Sequence, residues 1–188
     1  MNSEGAMEKY LAEYDSDTWA SNSDGYQTLL EKCGDKLLPS LLKCTQHPQP
    51  EVRAAVAPLL ATQRPHTQEM IEAIAPLLND PEPLVRIKTL ECLTGFGDLA
   101  LPLQDQLYDI VQKERTADDQ VPRILAMGAL LHIDRDAWDE ELMPTLTKAA
   151  TSQTGDLAEY VALRCLLALH GIELPEEPDM SGNPDLGS

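Results

Sequence analysis

The stretch DPEPLVRIKTLECL at residues 80–93 repeats the pattern of HPQPEVRAAVAPLL at residues 47–60, at a distance of 33 residues. Both begin with a polar turn residue, continue with Pro-x-Pro, and then place an aliphatic residue before an arginine, so that Arg86 matches Arg53. Asp80 suits such a turn because its side chain accepts hydrogen bonds from the free N–H groups at the start of a helix. Self-similarity at this period is the signature of a repeat architecture, and it decides the fold.

The pattern continues twice more along the chain. DDQVPRILAMGALL at residues 118–131 brings Arg123 to the equivalent position, and GDLAEYVALRCLLALHG at residues 155–171 keeps the register with Glu159 in place of the arginine. A second apolar segment with helical spacing precedes each copy. These partner segments are LLPSLLKCTQ (37–46), EMIEAIAPLLN (69–79), LQDQLYDIVQKE (103–114) and ELMPTLTKAAT (141–151). The sequence therefore predicts four two-helix units between about residues 35 and 171.

This pattern resembles HEAT repeats over about three quarters of the chain. The second unit matches best, with Pro76 in its first helix, Asp80 in its turn and the Val85–Arg86 pair in its second helix. The resemblance implies an all-α fold, a short right-handed α-solenoid of about four HEAT-like two-helix repeats. In this family the turn aspartate and the second-helix arginine of successive repeats form a hydrogen-bonded ladder. The residues expected in that structural ladder are Asp80, Arg53, Arg86 and Arg123.

Composition separates the two ends of the chain from the repeats. Residues 1–34 form an acidic extension whose AMEKYLAEY segment, beginning at Ala6, predicts an N-terminal capping helix. Residues 35–171 are the repeat array. Residues 172–188 combine Pro, Gly, Ser and acidic residues with few apolar ones, so we expect a disordered acidic tail.

Each second helix carries an apolar stripe that we assign to the shared core. The stripe of the second unit consists of Val85, Thr89, Cys92, Leu93 and Phe96. The opposite faces are also apolar, which has two explanations: the neighbouring repeats hide them, or they form a concave groove for a partner helix or peptide. The candidate partner-binding residues on these faces are Ile87, Leu90, Ile124, Met127, Leu131, Tyr160, Leu163 and Leu167.

The net charge of −18 excludes several classes of function. Nucleic-acid binding relies on Lys and Arg to release counterions, and docking on an anionic membrane needs basic clusters, so neither is expected. The sequence contains no apolar run of membrane-spanning length and no N-terminal export signal, which favours a cytoplasmic location.

No metal or cofactor site emerges from the sequence. Cys44-x-x-His47, with Cys33 upstream, lacks the second ligand pair of a structural zinc site. The acidic cluster around Asp136 has Trp138 and Asp139 where a calcium loop needs an oxygen ligand and glycine. We therefore expect neither a metal nor a cofactor.

Extended stacking of helices creates surface without a deep cleft, which favours binding over chemistry. The sequence therefore predicts a non-enzymatic protein–protein interaction scaffold or adaptor built on HEAT-like repeats. Its acidity favours a basic protein as the partner, since complementary fields speed encounter. The alternative is a HEAT-like enzyme, such as a bilin lyase or lyase-related protein.

Overall fold

Proline opens the second helix in each of the first three repeats. Pro50 and Pro83 are the first residues of their helices, and Pro122 is the second residue of its helix. Proline suits these positions because the N–H that it lacks would have no partner within the helix. The second helix of the fourth repeat is capped instead by Asp156. The Asp156 carboxylate accepts a hydrogen bond of 2.8 Å from the backbone N–H of Glu159.

The computed structural model describes residues 34–113 and 120–172, and over these ranges it contains helices and no strand. The α-helices in chain order are α1 (Leu37–Cys44), α2 (Pro50–Thr62), α3 (Gln68–Ile74), α4 (Pro83–Cys92), α5 (Gln104–Lys113), α6 (Val121–Ile133), α7 (Arg135–Ala150) and α8 (Leu157–Leu169). Short 3₁₀ segments cover Gly34–Lys36, Ala75–Asn79 and Leu93–Leu103. The expected N-terminal capping helix and nearly all of the acidic tail lie outside the described residues.

The helices form two layers. In the inner layer the second helices α2, α4, α6 and α8 pack side by side in that order. In the outer layer, α1 packs on α2, the Ala75–Asn79 segment on α4, α5 on α6, and α7 on α8. This serial stacking confirms the predicted all-α fold, a short α-solenoid.

The core lies between the layers and follows the predicted stripes. Val85, Thr89 and Leu93 of the second repeat are fully buried. The stripe of α8 is less protected: Ala162 is buried, whereas Cys165 and Leu166 are half-buried.

The second helix of the second repeat is shorter than its stripe predicts. We expected regular helical spacing as far as Phe96, but the α-helix ends at Cys92 and the chain continues as the Leu93–Leu103 3₁₀ segment. Gly97 interrupts this segment with a φ of +55°, a conformation that glycine adopts without strain. Phe96 nevertheless remains buried, so the stripe survives the change in helix type.

Candidate binding groove and inter-repeat ladder

Arg53 and Asp80 join the first two repeats through a two-pronged ion pair. The Arg53 Nε lies 2.7 Å from Asp80 Oδ2, and Arg53 Nη2 lies 2.8 Å from Asp80 Oδ1. The Asp80 carboxylate also accepts a hydrogen bond of 2.9 Å from the backbone N–H of Glu82. The Arg53 guanidinium and this backbone donor hold the pKa of Asp80 below its ordinary value, because both stabilise the charged form.

Arg53 and Arg86 occupy equivalent settings in successive repeats. Arg53 Nη1 donates to the carbonyl oxygens of His47 and Pro48 at 2.7 and 3.1 Å. Arg86 Nη1 donates to the carbonyl oxygens of Asp80 and Pro81 at 2.8 and 3.1 Å. These acceptors are related by the same 33-residue step as the arginines, so each arginine fastens the turn that precedes its own helix.

His47 takes over the turn role of aspartate in the first repeat. Its Nδ1 accepts a hydrogen bond of 3.2 Å from the backbone N–H of Gln49, as Asp80 does from Glu82. In the third repeat Arg123 Nη1 donates to Gln120 Oε1 at 3.3 Å. The turn preceding that helix lies outside the described residues.

A groove of about 660 Å³ runs across the inner layer of the solenoid. All four second helices contribute to it, together with Thr94 and Gly95 just beyond α4. Its lining repeats the spacing i, i+3, i+4, i+7 along the helices, as in Lys88, Glu91, Cys92 and Gly95. Equivalent positions are Leu125, Gly128, Ala129 and His132 in α6, and Val161, Arg164, Cys165 and Ala168 in α8.

Small residues form the floor of the groove, and charged residues lie on its rim. Gly128 is buried on the floor, where an added Cβ would lie 2.7 Å from the Sγ of Cys165, so α6 and α8 approach closely there. On the rim, Lys88 Nζ lies 3.0 Å from Glu91 Oε2. The Arg164 guanidinium lies 5.8 Å from the centre of the Tyr160 ring, within range of a cation–π interaction.

Two thiols line the groove, and burial keeps both protonated. Cys92 Sγ lies 3.1 Å from the carbonyl oxygen of Thr89, and burial raises the pKa of Cys92 far above its ordinary value. Burial also raises the pKa of Cys165 to about 11. Because the thiolate is the nucleophile, neither thiol is activated for covalent chemistry at neutral pH.

Most of the candidate partner-binding residues are buried or half-buried, which favours the explanation that neighbouring repeats hide these faces. Ile124, Met127 and Leu131 are at most 3% exposed and belong to the core, whereas Leu90, which is 2% exposed, borders the groove. They are hidden because neighbouring repeats flank the inner helices on both sides. Ile87 and Leu167 are half-buried, while Tyr160 and Leu163 are 39% and 42% exposed.

Apart from Leu90, the groove positions of α4, α6 and α8 lie one residue further along each helix than the predicted face. Lys88, Leu125 and Val161 line the groove, whereas Ile87, Ile124 and Tyr160 were the predicted positions. One residue turns a helix by about 100°, which moves a side chain from between neighbouring helices to the inner surface. The recurring glycines and alanines among mixed charges were the sequence signal for this surface.

The described residues contain neither a metal-binding cluster nor a membrane-spanning helix. Within residues 34–113 and 120–172, no three His, Cys, Asp or Glu side chains come together as a metal ion requires. Over the same ranges, every helix is too short or too polar to cross a membrane.

The ladder and the stacked hairpins agree with the family comparison. Residues 38–126 match the family model for HEAT repeats. A search of the curated proteins found no match to the chain.

Proposed function

Since the chain is a HEAT-repeat protein over residues 38–126, we propose that it is a non-enzymatic scaffold that binds another protein along its inner groove. The observation that carries this proposal is that all four second helices line one continuous groove. Helical repeats characteristically use such concave surfaces for binding. The raised pKa values of Cys92 and Cys165 also favour binding over catalysis, because the groove then offers no thiolate nucleophile.

The overall charge supports a basic protein as the partner. A net charge of −18 attracts a cationic partner during encounter, while the groove provides the contact surface. The expected location in the cytoplasm, where thiols remain reduced, forms part of this proposal.

A groove-blocking substitution tests the proposal. Ala168 is exposed on the groove side of α8, so Ala168→Arg would place a long side chain in the groove without disturbing the core. Thr147→Arg provides a matched control, because Thr147 is exposed on α7 of the same repeat and away from the groove lining. Full-length wild type and both variants would serve as bait in cells of the source organism, with circular dichroism to verify folding.

The expected result is a stoichiometric basic protein captured by the wild type and by Thr147→Arg, and depleted at least about tenfold with Ala168→Arg. Equal capture by all three baits would contradict binding in the groove. An acidic partner would contradict the charge argument.

A further inference from the structure

The last helix of the array leaves an apolar face open to solvent within the described residues. Leu157, Tyr160 and Leu163 are 64%, 39% and 42% exposed, and the half-buried Leu167 lies one turn beyond Leu163. We call these four residues the end face. Terminal repeats of a solenoid ordinarily present a polar outer surface to water. The end face departs from that rule and therefore needs a cover.

The turn that ends α8 is bonded to Leu167, the last residue of the end face. Gly171 has a φ of +66°, and its N–H donates to the carbonyl oxygen of Ala168 at 3.0 Å. The N–H of Ile172 donates to the carbonyl oxygen of Leu167 at 2.9 Å. This pair of bonds defines a Schellman motif, which reverses the chain and commonly brings the residue after the glycine against the position held here by Leu167. Ile172, which is 54% exposed, is thereby held next to Leu167 at the point where the described residues end.

We propose that residues 173–188 of the same chain cover the end face, in place of the disordered tail that their composition predicts. Leu174 is the first apolar residue after the turn, and the acidic Glu176 and Glu177 follow it. Their charge complements Arg164, whose guanidinium lies beside Tyr160 at the edge of the face.

The length of the segment suits this role. Sixteen residues reach about 50 Å when extended, whereas the thirteen residues of α8 span about 20 Å. The polar residues of this segment would face water on the side away from α8. A segment docked in this way ends the array and keeps a second copy of the chain from stacking there.

Photo-crosslinking in the full-length chain tests the proposal. A benzophenone amino acid at position 163 would be compared with the same amino acid at position 84, since Leu163 and Leu84 are both 42% exposed. We expect the probe at position 163 to form crosslinks within one chain, mapping by mass spectrometry to residues 173–188, at least about fivefold more often than the probe at position 84. Arg164→Glu should lower that yield severalfold. Crosslinks to a second copy, to the N-terminal residues or to no segment would each overturn the proposal.

A stability measurement keeps the test independent of the probe. Leu163→Asp and Leu174→Asp should each lower the melting temperature of the full-length chain, and the double variant should melt at the temperature of Leu163→Asp alone. Fully additive shifts, or no shift with either variant, would overturn the proposal, because residues in contact show coupled effects.

Discussion

The Asp80 carboxylate holds two repeats together through groups that come from both of them. Two of its hydrogen bonds come from Arg53 in the first repeat and one from the backbone of Glu82 in its own turn. The Asp80 side chain is only 6% exposed, and that of Arg53 is 14% exposed. Water therefore cannot readily replace either partner.

Removing the carboxylate should destabilise the array measurably. We expect Asp80→Ala to lower the free energy of unfolding by about 2–3 kcal/mol, because the Arg53 guanidinium loses a charged partner in a poorly solvated place. Asp98→Ala provides a control, since Asp98 is exposed. It should change the free energy of unfolding by less than about 0.5 kcal/mol. Urea titrations monitored by circular dichroism would measure both values. Equal effects of the two substitutions would contradict a structural role for the ion pair.

The same carboxylate should make stability depend on pH in the acid range. The pKa of Asp80 is lowered in the folded chain from an ordinary value of 3.8. Its stabilising effect is therefore complete above the ordinary value and is lost as the pH falls towards the lowered one. We expect the difference in unfolding free energy between wild type and Asp80→Asn to be constant between about pH 5.5 and 7, and to shrink below about pH 4. A difference that grows on acidification would contradict the assignment.

The groove thiols should react slowly in the folded chain. Burial raises the pKa of Cys165 from an ordinary 9.0 to about 11, which lowers the thiolate fraction at neutral pH by about 100-fold. We expect iodoacetamide to alkylate Cys165 about 100-fold more slowly in buffer than in concentrated urea, as followed by peptide mapping. Similar rates in the two conditions would show that the thiol is not protected.

The inner helices α6 and α8 approach each other closely where Gly128 meets Cys165. An added Cβ at Gly128 would lie 2.7 Å from Cys165 Sγ and 3.1 Å from Cys165 Cβ. To accommodate these contacts, the Cys165 thiol would have to rotate away and its Cβ would have to move by a few tenths of an ångström. The close approach of these two inner helices therefore depends on the lack of a side chain at Gly128.

Filling that contact should destabilise the packing of the last repeat. We expect Gly128→Ala to lower the free energy of unfolding by about 1–3 kcal/mol, as overpacking in a core does. Adding Cys165→Ala should recover part of this loss, because it removes the nearer of the two clashing atoms. Gly95→Ala is the matched control, since its Cβ would meet Ala61 Cβ at an ordinary 3.5 Å. Thermal unfolding would contradict the packing argument if both glycine substitutions had the same effect.

At this scale the sequence predicts the elements well and their rotation less well. The repeat step placed Arg53 and Arg86 in matching settings, and the proline positions located the helix starts, because both are local properties. The inner surface depends on how far each helix turns relative to its neighbours, which packing determines. A shift of one residue moved Ile124 from the expected partner face into the core and placed Leu125 in the groove lining.

For the whole molecule, the acidity and the groove have separate roles in the proposed function. The rim carries Lys88 and Arg164 against Glu91, so the groove does not share the strong acidity of the chain. Long-range attraction and short-range contact should therefore respond differently to salt.

Association with the proposed basic partner should be slowed by salt. Raising the ionic strength from about 0.05 M to about 0.5 M shortens the Debye length to a few ångströms. We expect the association rate to fall by about tenfold or more while the dissociation rate changes by less than about threefold. Stopped-flow mixing with the captured partner would measure both rates. A salt-insensitive association rate would contradict electrostatic steering.

The bridge between Arg53 and Asp80 also bears on how such a chain can lengthen. Arg53 and Arg86 each bind the turn of their own repeat, and Asp80 in the second turn also receives Arg53 from the preceding repeat. A tandem duplication of residues 54–86 would bring in a second copy of Asp80 and a second copy of Arg86. The added repeat would therefore already contain the ion-pair partner for the repeat before it, so this segment could be duplicated in evolution without new contacts having to arise.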